Sequence, residues 1–211
     1  MQNWQPEQMN KVMRVRYDYE LEFSNRADGL VENWLWEKES YHRPFTQIFA
    51  CYNEKYLAIK LKSYDAWLRV LAQQDGEPVW EDNCLEFFFQ PYADDKRYIN
   101  IEVNPLGCAV IALHKDRNNA KNIVNFLKPE LRIKTEISAD QWWSVSYTIP
   151  FAALASVYKR DDILEKGSII RGNFYKCGDE TPIPHYGAWS LIRELEPDFH
   201  CPEYFGELHL I

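Results

Sequence analysis

Val79-Trp80-Glu81-Asp82-Asn83-Cys84-Leu85-Glu86-Phe87-Phe88-Phe89 is the stretch that decides the fold: a tryptophan and two acids lead straight into an aromatic run. Side chains alternate across a strand with period two, so Leu85, Phe87 and Phe89 share one face and Cys84, Glu86, Phe88 and Gln90 the other. The first face has the composition of a core. The second mixes acid, amide and ring, which suits a ligand carrying hydroxyls beside flat apolar C–H patches, as a sugar does. An ordinary core strand with a tryptophan at its rim accounts for the same residues without any ligand.

The period-two pattern recurs along the chain. Leu57, Ile59 and Leu61 alternate with Tyr56, Ala58, Lys60 and Lys62, and Ile99, Ile101 and Val103 with Tyr98, Asn100, Glu102 and Asn104. Leu131, Ile133 and Ile137 continue it, and Ser138-Ala139-Asp140 offers a turn into Trp143, Val145, Tyr147 and Ile149, which predicts a hairpin. Ile170, Gly172 and Phe174 alternate with Arg171, Asn173 and Tyr175, and Gly206 to Ile211 reads as a final strand. One helix is expected near Pro150, carrying Phe151, Leu154 and Tyr158 inward. Many alternating strands with few helices predict an all-β protein: a single antiparallel β-sandwich with one or two short helices, one domain over residues 1–211.

Composition narrows the function. With 8 Trp and 13 Tyr the chain has more rings than a core needs, which points to a binding surface. A formal charge of -8 without a Lys/Arg-rich run excludes sequence-independent binding to a nucleic-acid backbone. The start, Met1-Gln2-Asn3-Trp4-Gln5-Pro6, has neither a basic nor an apolar leader region, and no apolar stretch approaches the roughly 18 residues of a spanning helix. Five widely spaced cysteines, Cys51, Cys84, Cys108, Cys177 and Cys201, fit reduced, packed thiols. A cytoplasmic protein with no membrane partner is the expectation.

The polar strand faces offer Glu86 and Phe88, Asn100 and Glu102, and Arg171, Asn173 and Tyr175. Set side by side they would form a shallow platform with Trp80 at one end, where rings take the C–H face of a sugar and acids or amides take its hydroxyls. A proline-stiffened run from Pro182 to Trp189 and a loop from Glu196 to Gly206, with Phe199 between prolines, supply a second aromatic wall.

Taken in order, these pieces resemble the family 9 carbohydrate-binding modules and related sugar-binding sandwiches. Trp80 to Phe88 is similar to the family's Trp-Glu-x-Asp-x-Val-Glu-x-Phe segment, and Tyr98 to Gly107 to its next strand and Asn-x-x-Gly turn. Trp143 to Phe151 resembles its Trp-x-x-x-x-x-Ile-Pro-Phe element and Asn173-Phe174-Tyr175-Lys176 its Asn-Phe-Tyr-Arg/Lys element, with Trp189-Ser190 and Phe199 to Gly206 completing the order. The resemblance implies non-covalent binding of a mono-, oligo- or polysaccharide between two aromatic walls. Trp80 matches the first clamp tryptophan, and Phe199 stands where the family has the second. Glu86 matches a hydroxyl-binding acid, while Asn100 and Glu102 occupy places of an Arg and an Asn. Arg171, Asn173 and Tyr175 are further candidates. Relatives are often fused to glycoside hydrolases, which makes a hydrolase the implied partner.

Other chemistries stay open. Glu86 and Glu102 would be the paired carboxylates of a glycosidase, although no catalytic residue is assigned. An interaction domain that has kept the sandwich and lost the sugar site is the alternative binding reading. A haem would need axial ligands such as His185 and His200, since Met1, Met9 and Met13 precede the core strands. Cys177, His185, His200 and Cys201 are zinc-capable types in no compact zinc spacing. No cofactor is expected; for calcium, which some relatives bind structurally, the oxygen-rich candidates are Asp94-Asp95, Asp161-Asp162 and Asp179-Glu180.

Overall fold

The computed structural model describes residues 11–36 and 42–211. Met1 and Met9, with the amino-terminal stretch Met1 to Pro6, lie outside the described residues. The strands are β1 (Val12–Tyr17), β2 (Gly29–Val31), β3 (Asn33–Leu35), β4 (Phe45–Tyr52), β5 (Tyr56–Tyr64), β6 (Cys84–Gln90) and β7 (Tyr98–Val103). They continue as β8 (Ala109–Asp116), β9 (Asn119–Asn122), β10 (Lys134–Ser138), β11 (Trp142–Pro150), β12 (Ile169–Gly178), β13 (His185–Ala188) and β14 (Gly206–Leu210). Two helices, α1 (Val124–Leu131) and α2 (Phe151–Tyr158), complete the set.

One strand joins two sheets. Val12 to Val15 of β1 pair with Glu207 to Leu210, and the next two residues, Arg16 and Tyr17, pair with Cys51 and Tyr52. On one side of β1 lies β4-β5-β11-β10; on the other runs β14-β12-β6-β7-β8-β9, with β13 and β3 continuing from β12. Both pairings of β1 are parallel and the others among the described strands antiparallel, so the expected antiparallel sandwich holds except at this joining strand. Met13 belongs to this strand and is buried, rather than preceding the core.

The two sheets close on a shared interior. Val15, Ile48, Leu57, Ile59 and Leu61 from one and Phe87, Phe89, Ile99, Ile101 and Phe174 from the other form one buried cluster. Phe87 stacks between Phe89 and Phe174 at centroid distances of 4.6 and 4.4 Å, an offset ring packing that adds to the burial of apolar area. Close approach of backbone to ring fixes Gly206, where an added Cβ would sit 2.5 Å from Trp189.

The hairpin predicted from Ser138-Ala139-Asp140 forms, with Ser138 opposite Trp142. Its first strand is shorter than the alternation suggested: Leu131 closes α1 instead, and Ile137 is exposed. The reason lies in the period. Val124, Leu127 and Leu131 recur at helical spacing and bury one face of α1, so the strand begins only after the helix ends at Arg132 in left-handed conformation. The helix expected at Pro150 is α2, buried through Phe151, Leu154 and Tyr158. No described helix is long and apolar enough to cross a membrane.

Candidate functional site

On the outer face of the β12-β6-β7-β8 sheet, register brings the polar side chains together. Glu86 lies opposite Glu102 and Phe88 opposite Asn100 across β6 and β7, while Tyr175 and Cys177 of β12 face Glu86 and Cys84. This face is the floor of a cavity of about 400 Å³, within the usual size of a small-molecule site. Trp80, Glu86, Asn100, Glu102 and Phe199 all line it. Lining residues that the sequence reading did not single out include Trp36, His114, Arg117, Tyr186 and Asp198.

The expected shallow platform is instead a covered floor. Glu86, Asn100 and Glu102 are only 1, 2 and 5% exposed. The loop carrying Pro197, Asp198, Phe199 and His200 lies against the cavity, braced by an Arg117–Asp198 ion pair at 2.6 Å. Phe199 stacks on Tyr175 at 4.1 Å, with Trp36 at 5.8 Å. Trp80, 39% exposed, sits in a short 3-10 turn at Val79–Glu81. Asp82 anchors that turn, accepting from the Arg69 guanidinium, the Leu71 and Ala72 amides and the Asn104 amide group. The second acid of the opening stretch is thus a buried latch, and its role is to hold the tryptophan in place.

Three of the residues expected at the site support it from behind. Asn173 uses its side chain on the Ser190 carbonyl and amide. Arg171 donates to Gln90 and to the Pro202 carbonyl. Tyr175 is fully buried, and its hydroxyl donates to the Phe199 carbonyl at 3.2 Å. Alternation put these three on the same face as Glu86, but Tyr175 lies under Phe199, Arg171 reaches Pro202 and Asn173 is turned to Ser190. Tyr175→Phe should therefore weaken the fold by about 1 kcal/mol, the usual net worth of one hydrogen bond, read as a lower urea midpoint. Arg171→Ala should leave ligand affinity within about twofold, since it touches no cavity atom.

Electrostatics distinguish this floor from an ordinary polar surface. Burial raises the Glu86 carboxyl well above its usual range, the Glu102 charge adds to that, and the Cys177 thiol, donating at 2.9 Å, opposes it. Burial also pushes Glu102 up to about 7, against the 2.6 Å hydrogen bond from Asn100 Nδ2 and with help from Asp179. Asp179 is raised to about 6, chiefly by burial, then by Glu180 and Glu81. Burial drives His114 down, and His200 down to about 4 with His114 contributing. One buried atom of a lining residue, Glu102 Oε2, has no hydrogen-bond partner. Such an atom costs about 1–3 kcal/mol, which a ligand hydroxyl would recover.

A second polar cluster links the two sheets. The fully buried Lys176 ammonium lies 3.4 Å from Asp65 Oδ1 and 2.6 Å from His185 Nε2, and Trp143 Nε1 donates to Asp65 at 2.7 Å. Burial alone would raise Asp65, but Lys176, with His42, Trp143 and Ser63, holds it well below the usual carboxylate range. The zinc-capable residues are dispersed: Cys177 stands with Cys84 and Glu86, His185 with His42 and Asp65, and Cys201 with Glu194 and Glu203. His185 and His200 belong to separate clusters, so they do not form an axial pair. Among the acids considered for calcium, Asp94 and Asp162 both engage Arg160 at 2.7 Å, and Asp95 is held by Arg97. All five cysteines are free and buried.

No curated protein matches the sequence. Among solved structures, a presumptive carbohydrate-binding protein from Bacteroides uniformis ATCC 8492 is similar, with a TM-score of 0.79 and 24% identity over 96% of this chain and 100% of that one. A family 9 carbohydrate-binding module from Caldicellulosiruptor kristjanssonii in complex with cellotriose gives a TM-score of 0.63 at 12% identity, covering 95% of this chain and 93% of that chain. The same description in complex with glucose gives 0.65 at 12%, covering 95% and 96%. At these identities the likeness carries the β-sandwich fold alone. The profile of carbohydrate-binding family 9 matches residues 16–210, and with nearly its whole length matched the chain belongs to that family.

Proposed function

We propose that the cavity binds a neutral saccharide non-covalently, with Trp36, Trp80 and Phe199 as aromatic walls and Glu86, Asn100 and Glu102 as hydroxyl partners. The observation that carries this reading is the orphaned Glu102 Oε2 on a buried floor ringed by aromatic side chains. A carbohydrate has both halves of the complement: C–H faces for rings and hydroxyls for unpaired polar atoms. Acids that keep their protons when buried can also donate, which suits hydroxyls acting as both donor and acceptor. The lining guanidinium, Arg117, is already paired with Asp198, so the cavity offers no free cation of that kind to a phosphate or carboxylate ligand.

Structural neighbours hold glucose and cellotriose, which makes glucose and cello-oligosaccharides the first ligands to test. An accessory role beside a glycoside hydrolase is part of this proposal. Titration calorimetry of the full chain against glucose, xylose, galactose, cellobiose and xylobiose, with calcium and with chelator, should give saturable heat for at least one sugar. Silence across the panel would overturn the proposal.

A further inference from the structure

We propose that Cys84, Cys177 and Glu86 form a zinc-binding site in the cavity floor, with the fourth coordination position open toward the cavity. Cys84 and Cys177 are directly opposed on β6 and β12, and Glu86 follows two residues after Cys84 on the same face. One donor atom from each lies within 4.8 Å of the others. A tetrahedral zinc with two sulfur ligands and one oxygen holds its ligand atoms roughly 3.6–3.8 Å apart. The Cys177 Sγ to Glu86 Oε1 contact of 2.9 Å therefore has to open by roughly 0.7–0.9 Å. Two thiolates and a carboxylate suit zinc better than calcium or magnesium, which take oxygen ligands.

All three side chains are buried, but Glu86 and Cys177 also line the cavity, which gives an ion its way in and leaves a vertex for water or a hydroxyl. The other ligand-type clusters lack this combination. Asp65 and His185 already hold the Lys176 ammonium, with His42 beside Asp65 at 3.6 Å, and Glu194 and Glu203 are exposed acids. Lys176 braces the proposed site from outside: its ammonium donates to the Cys177 carbonyl at 2.9 Å.

Burial raises the Cys84 thiol to about 12 and puts the Cys177 thiol well above its usual value, so both thiols carry protons at neutral pH; burial also raises the Glu86 carboxyl. Zinc(II) with two thiols and the Glu86 carboxylate gives a complex of net charge −1 and releases two protons from the thiols, with a third where the carboxyl is protonated. Affinity should therefore rise by up to about a thousandfold per pH unit.

The test is titration of cobalt(II) into the reduced, desalted full chain without saccharide, so its outcome is independent of the sugar proposal. A thiolate-to-cobalt charge-transfer band should saturate at one equivalent and disappear when zinc is added. Cys84→Ser and Cys177→Ser should each abolish it, and Cys201→Ser should keep it, with near-ultraviolet circular dichroism reporting that each variant is folded. In the unaltered chain, one equivalent of zinc should protect two of the five cysteines from alkylation. No band at equimolar cobalt, a band surviving the loss of Cys84 or Cys177, or a band lost with Cys201 would overturn the site.

Discussion

At pH 8 a Glu102→Gln chain should be more stable than its parent by about 3 kcal/mol, and at pH 5 the two should differ by less than about 1 kcal/mol. Gln reproduces the shape and hydrogen-bonding capacity of the protonated acid, including an acceptor for Asn100 Nδ2. In the parent, Glu102 holds its proton up to about 7, against 4.5 for an ordinary carboxyl. Between those values the folded chain binds more protons than the unfolded one. The stabilisation from this group is complete below about pH 4.5 and is lost as pH rises through about 7. The gap corresponds to about 3 kcal/mol, or roughly 6–12 °C in Tm for a chain of this size. His114 and His200, pushed downward, tilt the raw stability curve the other way in acid, and comparing the two chains cancels them. Thermal unfolding at intervals from pH 5 to 8 reads the difference. Parallel curves would mean that Glu102 is not desolvated as described.

Trp80→Ala should cost about 2 kcal/mol of saccharide binding, roughly thirtyfold in Kd, with little change in Tm. The ring is partly exposed and lines the cavity, while the turn beneath it is held by Asp82 and by the Trp80 carbonyl accepting from the Asp179 amide at 3.1 Å. Neither support uses the indole. Trp36 is a less clean probe, because its Nε1 donates to the Glu194 carbonyl at 2.8 Å and its loss would disturb the loop as well. Calorimetry on both chains, with unfolding measured in parallel, checks the separation. Affinity within threefold of the parent would remove Trp80 from the clamp.

Alternation made much of this arrangement legible before any coordinates. Period two placed Leu85, Phe87 and Phe89 inward and Glu86 outward, and the same rule put Asn100 and Glu102 on the facing side of the next strand. Parity, however, gives a face and not a depth. Arg171, Asn173 and Tyr175 share the face of Glu86 but are engaged by partners distant in sequence, Pro202, Ser190 and Phe199 respectively. The sequence does not mark His114 as more than an ordinary surface or rim position, because Ala109 to Leu113 is a continuous apolar run, which hides alternation. There Val110, Ala112 and His114 nonetheless line the cavity together. The parallel pairing of β1 left no local trace, since it depends on one short strand reaching both sheets.

The most direct test of the central claim is a crystal structure of the full chain with the saccharide that gives the strongest calorimetric signal. The account predicts a sugar ring against Trp80 and Phe199, with a hydroxyl hydrogen-bonded to Glu102 Oε2. A sugar bound elsewhere, such as beside exposed Phe126, with the Glu86–Glu102 floor untouched, would contradict it.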